Sequence, residues 1–297
     1  MSAAPSETLG TTRKSLFVGE LLQIGWFEAR PATDACGDVE RQDRNAIVLP
    51  LSGVFAKHET SGRHVIGTPS HAVLFAPDAP YRIGFPGGIG DRALTLRFDR
   101  DLAPDLLEAR GARETTAPIG LLPGRAMVLR NLLRTRLKNG VADALEIETL
   151  GLDLLGMSLD AMRNSVPRAR PATLDRRMRA VERVKEAVAM APGNKWSVTR
   201  LAGVAHLSPF HLCRVFHEIA GTSLYDYVLR ERLAQSLDAV LDGDDITGIA
   251  LDAGFTSHSH FTARFGAFFG CTPATLRRHA KTGHIAQLRK MVTARPV

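Results

Sequence analysis

The stretch GFTSHSHFTARFGAFFG, residues 254–270, decides the fold of the C-terminal half of the chain. Its two histidines, His258 and His260, are two positions apart and diverge by ~200° on a helix, so the pattern argues against a metal site. Four aromatic residues instead recur at helical spacing and would share one buried face of a helix that begins near Ser257. They are Phe261, Phe265, Phe268 and Phe269.

The same pattern occurs earlier in the chain. VTRLAGVAHLSPFHLCRVF (198–216) aligns with ITGIALDAGFTSHSHFTARF (246–265), which has one extra residue in its turn. In each copy a short helix carries a small residue at its centre, Ala202 or Ala250, where a second helix can cross closely. The repeat predicts two helix–turn–helix units. They span about 198–218 and 246–268, separated by a helix at about 223–241.

The turns between the paired helices have recognisable chemistry. Ser208 and Ser257 stand where a side chain can cap the second helix. Gly254 can adopt the left-handed conformation that a sharp turn requires. His206 holds that place in the first copy, where a side chain is sterically less comfortable.

The second helix of each unit would present a polar outer face, and such a face can enter a DNA major groove. Arg214 could donate two hydrogen bonds to guanine, and Phe210 could pack on a thymine methyl. The plain alternative makes Arg214 a solvated charge and Phe210 a stray surface residue. We predict that the first unit contacts DNA through Ser208, Phe210, His211, Cys213, Arg214 and His217, and the second through Ser257, His258, Ser259, Thr262 and Arg264.

Composition supports a polyanionic partner for the same half. The net charge is +7, and residues 172–297 hold 17 Lys or Arg against 11 Asp or Glu. No apolar run is long enough to span a bilayer, and the N-terminus lacks the apolar segment of a signal peptide. We therefore expect a cytoplasmic protein without a membrane partner. The three cysteines are far apart, which argues against a disulfide framework or a zinc ribbon.

The first half has a different pattern. Residues 17–100 contain short β-branched or aromatic runs that Gly, Pro, Asp and Ser interrupt every 8–12 residues or so, which predicts a small antiparallel sandwich or barrel. Residues 121–163 change to helical spacing, from Leu121 and Leu122 onward, and predict two amphipathic helices. SVPRARPATLD (165–175) resembles a linker. The predicted fold class is α+β, with domains at 1–164 and 175–297 and a linker at 165–174.

Two features of the first half leave alternatives open. The leucine-rich helical hairpin is equally suited to a dimer surface and to packing within the domain. The polar residues Cys36, His58, Glu59, His64 and His71 lack the His-x-His pair of a cupin metal site, so we expect surface or barrel-lining groups. The aromatic residues predicted to form the core, some of which could line a ligand cavity, are Trp26, Phe55, Phe75, Tyr81 and Phe85.

Residues 175–279 resemble the AraC/XylS family of bacterial transcription regulators. The resemblance rests on SPFHLCRVF, SLYDYVLRERLAQSLDAVL, ITGIALDAGFTSHSHFTARFGAFFG and the closing TPATLRR. It implies seven helices with two recognition helices that read successive major-groove turns of promoter DNA. The first half is similar, more loosely, to the cupin-like sensors of that family, which implies a small-molecule effector and a homodimer. For a regulator of this family we also expect RNA polymerase as a partner and a location at the nucleoid.

The chain departs from the family pattern on the second recognition helix. Ala263 stands where the family often has a basic residue, and Gly266 and Ala267 also replace residues that are frequently basic; Arg264 is expected to point more toward the protein. We therefore predict an asymmetric reader, in which the first unit provides most of the base discrimination.

The leading hypothesis is a DNA-binding transcription regulator, an effector-responsive activator, with no catalytic residues, cofactor or metal. No nucleophile triad, phosphate-binding loop or dinucleotide motif is present. The alternatives are a repressor without a small-molecule effector and a cupin-type enzyme that acts on small molecules and carries an accessory DNA-binding module.

Overall fold

The computed structural model describes residues 10–60, 64–102, 119–140, 143–163 and 171–282. An antiparallel β-structure with a helical hairpin comes first, and a helical region follows, as the α+β prediction requires. Within the described residues no helix is both long and apolar enough to cross a membrane.

The described strands of the first half form two antiparallel sheets. The strands are β1 (Thr11–Val18), β2 (Leu22–Ala29), β3 (Asn45–Gly53), β4 (Phe55–Glu59), β5 (His64–Gly67), β6 (His71–Phe75), β7 (Tyr81–Gly84), β8 (Asp91–Phe98) and β9 (Ile119–Leu121). One sheet has the order β1-β2-β8-β3-β6-β9, and the other has the order β5-β4-β7. Residues of both sheets pack into one apolar cluster, which includes Phe55, Val73, Phe75 and Phe85, so the sheets face each other.

The larger sheet has a different role on each of its faces, as strand β8 shows. Leu94, Leu96 and Phe98 belong to the main hydrophobic core, where the helices pack. Since side chains alternate along a strand, Asp91 and Thr95 point the opposite way, toward the smaller sheet. The larger sheet therefore has the hydrophobic core on one face and the space between the two sheets on the other.

The predicted hairpin consists of α1 (Gly124–Asn139) and α2 (Ala144–Arg163). Leu121 and Leu122, expected at the start of the first helix, instead end strand β9 and enter the turn before Pro123. The prediction failed there because two apolar residues fit a short buried strand as well as a helix. Most of the apolar hairpin residues that we weighed as a dimer surface are buried within the chain, and Leu137 is only partly buried. The buried ones are Val128, Leu132, Leu133, Ile147, Leu150, Leu154, Leu155 and Leu159.

Residues 171–282, the described part of the second half, form seven helices, the number that the family resemblance implies. They are α3 (Pro171–Met190), α4 (Val198–Ala205), α5 (Pro209–Ala220), α6 (Leu224–Asp242), α7 (Ile246–Asp252), α8 (His258–Phe269) and α9 (Pro273–Thr282). Helix α3 begins inside the predicted linker, 165–174, so the linker prediction is wrong from residue 171 onward; residues 165–170 lie outside the described residues. Proline at the first helical position favours this start, because its fixed φ suits a helix and its missing N–H costs nothing there.

The two halves share a continuous core. Leu94 of the sheet, Leu133 of α1, Leu237 of α6 and Phe265 of α8 all belong to one cluster of buried residues. Helix α6 therefore has two roles, because it links the two helix–turn–helix units and also packs against the first half.

Buried polar groups join the halves as well. Asn131 donates a 2.7 Å hydrogen bond to Asp238, and the backbone N–H of Ile66 donates one of 2.6 Å to Glu182. His71, expected at the surface or along the barrel, lies buried at this boundary, and its Nδ1 is 2.7 Å from the Thr68 hydroxyl. Burial and the nearby cations Lys185 and Arg230 hold the pKa of His71 well below its ordinary value.

Candidate nucleic-acid interface and a cavity between the sheets

The first helix–turn–helix unit comprises α4 and α5. Ser208 caps α5, since its hydroxyl accepts a 3.3 Å hydrogen bond from the N–H of His211. The turn contains His206 with a φ of 54°. The histidine therefore adopts the left-handed conformation, which is sterically less favourable for a residue with a side chain. The inner face of α5 is fully buried and consists of Leu212, Val215 and Phe216.

The outer face of α5 carries the residues predicted to contact DNA. Phe210 has 81% of its surface exposed, an unusual position for a large aromatic residue. Cys213, Arg214 and His217 are exposed too, whereas His211 is only partly exposed. The Nε of Arg214 is 3.8 Å from Glu218, and such a solvent-exposed ion pair costs little to break when another anion approaches.

The second unit comprises α7 and α8. Ser257 caps α8 by accepting a 3.2 Å hydrogen bond from the N–H of His260, and Asp245, which sequence reasoning missed, caps α7 in the same way at 2.8 Å. Phe261, Phe265 and Phe269 are buried as predicted. Phe268 is only partly buried, and the Arg230 guanidinium lies 5.0 Å from its ring centroid.

The outer face of α8 has few charged groups. His258, Ser259, Ala263 and Arg264 are exposed, and Thr262 is partly exposed. The expectation that Arg264 points toward the protein is wrong, because one position beyond Ala263 still lies on the solvent side of this helix. The ring of His260 packs edge-on against Phe255 at 5.4 Å. Among the described residues, no three His, Cys, Asp or Glu side chains are grouped as a metal site would require.

The two units are joined by backbone contacts that the sequence did not reveal. Arg232 of α6 donates hydrogen bonds to the carbonyls of Pro192 (2.9 Å) and Asn194 (2.8 Å), in the loop before α4. It also donates one of 3.1 Å to the carbonyl of Gly254, in the turn of the second unit. A Cβ at Gly254 would lie 2.4 Å from the carbonyl oxygen of Gly193. The turn of one unit therefore rests directly on the loop that leads into the other.

A cavity of about 950 Å³ lies between the two sheets of the first half. All five aromatic residues predicted as core are among its lining residues: Trp26, Phe55, Phe75, Tyr81 and Phe85. Loop residues 38–43 and strand β1 provide a polar border, where Arg13 and Glu40 form a 2.7 Å ion pair. The volume is within the range of small-molecule sites, at its upper end.

The helical half of the chain is similar in sequence to known proteins. The family described as "Helix-turn-helix domain" matches residues 201–279. The regulator GlxA of Rhizobium meliloti is 36% identical over 110 residues, which are 37% of this chain and 31% of GlxA. The probable transcription factor PqrA of Proteus vulgaris is 34% identical over 83 residues, 28% of this chain and 68% of PqrA.

Similar proportions hold for the activator RclR of Escherichia coli, which is 31% identical over 93 residues, 30% of this chain and 32% of RclR. The matched segment thus spans about a third of GlxA and of RclR. Among solved structures, an apo ToxT variant from Vibrio cholerae aligns over 88% of this chain and 98% of its own, with 12% identity and a TM-score of 0.38.

Proposed function

Because the chain belongs to the AraC/XylS family of transcription regulators, we propose that it is a sequence-specific DNA-binding regulator that reads promoter DNA with the outer faces of α5 and α8. The observation that carries the proposal is the exposure of Phe210 beside Arg214 on a capped helix whose other face is fully buried. A protein gains nothing in stability from such an exposed ring, but a groove-binding helix can use it to contact a base.

The two units contribute unequally in this proposal. Arg214 makes the main base contact, and its repeat mate is Ala263, which has no polar group to offer a base. The second unit provides phosphate contacts through Ser257, His258, Ser259, Thr262 and Arg264, and through the N-terminus of α8, where free backbone N–H groups favour an anion. The shared loop contact at Gly254 keeps both faces at a constant spacing.

The cavity between the sheets is the proposed effector site. It has the size of a small-molecule pocket and combines aromatic walls with a polar border. Its wall, the larger sheet, packs on α1, and α1 and the sheet share a core with α6 and α8. A ligand that shifts the sheet can therefore move the two units together relative to the first half. The first half acts as a sensor, not as an enzyme, and the protein works at the nucleoid in the cytoplasm.

Activation through RNA polymerase and action as a homodimer complete the proposal. Because the hairpin leucines are mostly buried, we propose that the dimer forms through another surface of the chain. Sedimentation velocity at micromolar concentration tests this directly, since a purely monomeric protein would remove the dimer from the proposal. Repression without an effector is the second candidate, and it predicts DNA affinity that no small molecule alters.

Selection of bound duplexes from a random pool by the full-length protein tests the central proposal. We expect a defined sequence to be enriched and its affinity, measured by fluorescence anisotropy, to fall linearly with salt on a double-logarithmic plot. Absence of enrichment, or an affinity that does not change with salt, would refute DNA recognition.

A further inference from the structure

Asp91 is a buried acid that has no hydrogen-bond partner among the described residues. It is the first residue of β8, only 4% of its surface is exposed, and neither of its carboxyl oxygens is hydrogen-bonded within the described part of the chain. Asp91 lines the cavity between the sheets, and its position in the strand places it on the face opposite Leu94 and Leu96. Burial with no compensating partner raises its pKa to about 8.

Among the described residues, both carboxyl oxygens of Asp91 lack a hydrogen-bond partner, whereas three other buried acids each have a partner for at least one oxygen. Glu231 accepts a hydrogen bond from Thr68, Asp238 accepts one from Asn131, and Glu182 is paired with Lys185 at 2.9 Å. A carboxyl group that is withdrawn from water and given no partner destabilises the fold. A bound ligand that donates hydrogen bonds to the carboxyl group would offset this cost.

The charged groups on the cavity border are mostly engaged already. Arg13 pairs with Glu40, Arg97 pairs with Asp43, and Arg41 donates a 2.6 Å hydrogen bond to the carbonyl of Asp78. The cavity lining also includes aromatic rings, among them Phe55 and Phe85. The π face of an aromatic ring attracts a cation. The arrangement combines a buried carboxyl group that has no hydrogen-bond partner among the described residues with an aromatic lining.

We infer that the cavity binds a small molecule with a protonated amine on an aromatic or aliphatic body, and that Asp91 binds the ammonium group. This inference rests on the proposed function and names the chemical class of its effector. An ammonium group supplies several donors to the two free oxygens and restores the ionised carboxylate, whereas an alcohol offers a single donor. A carboxylate ligand would add a second acid beside Asp91.

The test uses the full chain and a panel of primary amines with aromatic and aliphatic bodies, such as 2-phenylethylamine, each with its matched alcohol and carboxylate. Thermal shift identifies ligands, and calorimetry then gives affinities without DNA. We expect at least one amine to bind ten or more times as tightly as its alcohol and its carboxylate. A panel in which no amine binds, or in which matched ligands bind equally, would overturn the inference.

Two variants sharpen the result. Asp91→Asn should lose at least tenfold in affinity for the amine, whereas Asp34→Asn, an exposed acid outside the cavity, should stay within twofold of wild type. Asp91→Asn should also melt at a higher temperature than wild type at pH 8.5, because it removes an unpaired buried charge. Amine binding that survives in Asp91→Asn, or a melting temperature that falls, would show that the carboxyl group is structural. Because ligand binding is measured without DNA, failure of wild-type protein to bind any duplex would refute the proposed function alone.

Discussion

The Thr68 hydroxyl donates a 2.7 Å hydrogen bond to the carboxylate of Glu231, so that a residue beside the sheet is tied to the middle of helix α6. Both side chains have 0% exposure. Burial raises the pKa of Glu231, and the hydrogen bond from Thr68 opposes that rise. The contact lies between the cavity wall and the helix that joins the two helix–turn–helix units.

Thr68→Val should therefore destabilise the protein by about 1–3 kcal/mol, because the isosteric change leaves part of the buried Glu231 carboxyl group unsatisfied. Urea denaturation at pH 7 measures the effect. Thr12→Val makes the same change at an exposed position of β1 and should alter stability by less than about 0.5 kcal/mol. Equal effects in the two variants would mean that the contact between Thr68 and Glu231 does not matter.

Arg214→Ala should weaken binding to the selected duplex by about 1–3 kcal/mol and relax the base preference at one position of the site. The arginine loses a two-donor contact with a base, and nothing else on the outer face of α5 can replace it. Anisotropy titrations with the selected duplex and its single-base variants measure both effects. Arg30→Ala removes an exposed arginine in the sheet half and should bind like wild type. Wild-type affinity and preference in Arg214→Ala would refute the assignment.

Ala263→Arg should strengthen DNA binding, because it places a cation on the nearly uncharged outer face of α8. One added phosphate contact should make the salt dependence steeper by about 1 on a double-logarithmic plot. The same titrations at several salt concentrations provide the measurement. An unchanged slope would mean that this face does not lie against the duplex.

Gly254→Ala should destabilise the protein by more than about 1 kcal/mol and also weaken DNA binding. The glycine has φ +76°, and the added Cβ would lie 2.4 Å from a backbone oxygen of Gly193. Gly156→Ala serves as the control, because a Cβ added at this helical glycine would have no described atom outside its own helix turn within 4 Å. This variant should stabilise α2 by about 0.5–1 kcal/mol. Opposite signs in urea denaturation are expected, and a stable Gly254→Ala with unchanged DNA affinity would show that the turn does not set the spacing.

Asp91 should make stability depend on pH. Its folded-state pKa of about 8 lies above the ordinary value of 3.8, so the folded protein holds this proton more tightly than the unfolded chain. Ionisation thus destabilises the fold, and the contribution of Asp91 should fall by up to about 1.4 kcal/mol per pH unit between pH 4 and 8. The charged groups that share the cavity lining are Arg13, Lys14, Asp38, Glu40, Arg41, Asp43 and Arg97.

Comparing wild type with Asp91→Asn at each pH isolates this contribution, because the other titrating groups are common to both proteins. Chemical denaturation from pH 4.5 to 8.5 should show the gap between the two proteins widening in favour of Asp91→Asn. A constant gap would mean that Asp91 is ionised throughout the range and has found a partner in the folded state.

Some features could be predicted because the forces that produce them are local. The caps at Ser208 and Ser257 and the buried stripe of Phe261, Phe265 and Phe269 follow from residue types a few positions apart. The need for glycine at position 254 could also be predicted from the turn. Glycine is required there for a second reason, the close approach of the Gly193 backbone, and that residue is distant in the sequence. Predictions were weakest at element boundaries, as at Leu121 and Pro171, where short segments fit more than one conformation.

The sequence by itself determined the antiparallel β-structure, the helical hairpin and the duplicated helix–turn–helix, since periodicity and capping act within a few residues. Only the tertiary structure decided that most hairpin leucines are buried and that Glu231 and His71 both contact Thr68 at a boundary between the halves. It also decided that Asp91 lines a cavity and has no hydrogen-bond partner among the described residues. The physical reason is that the environment of a charged side chain depends on chain segments that come together only on folding. An aspartate or glutamate in the sequence can be a solvated surface group, one member of a buried pair, or a buried acid whose partner is a ligand.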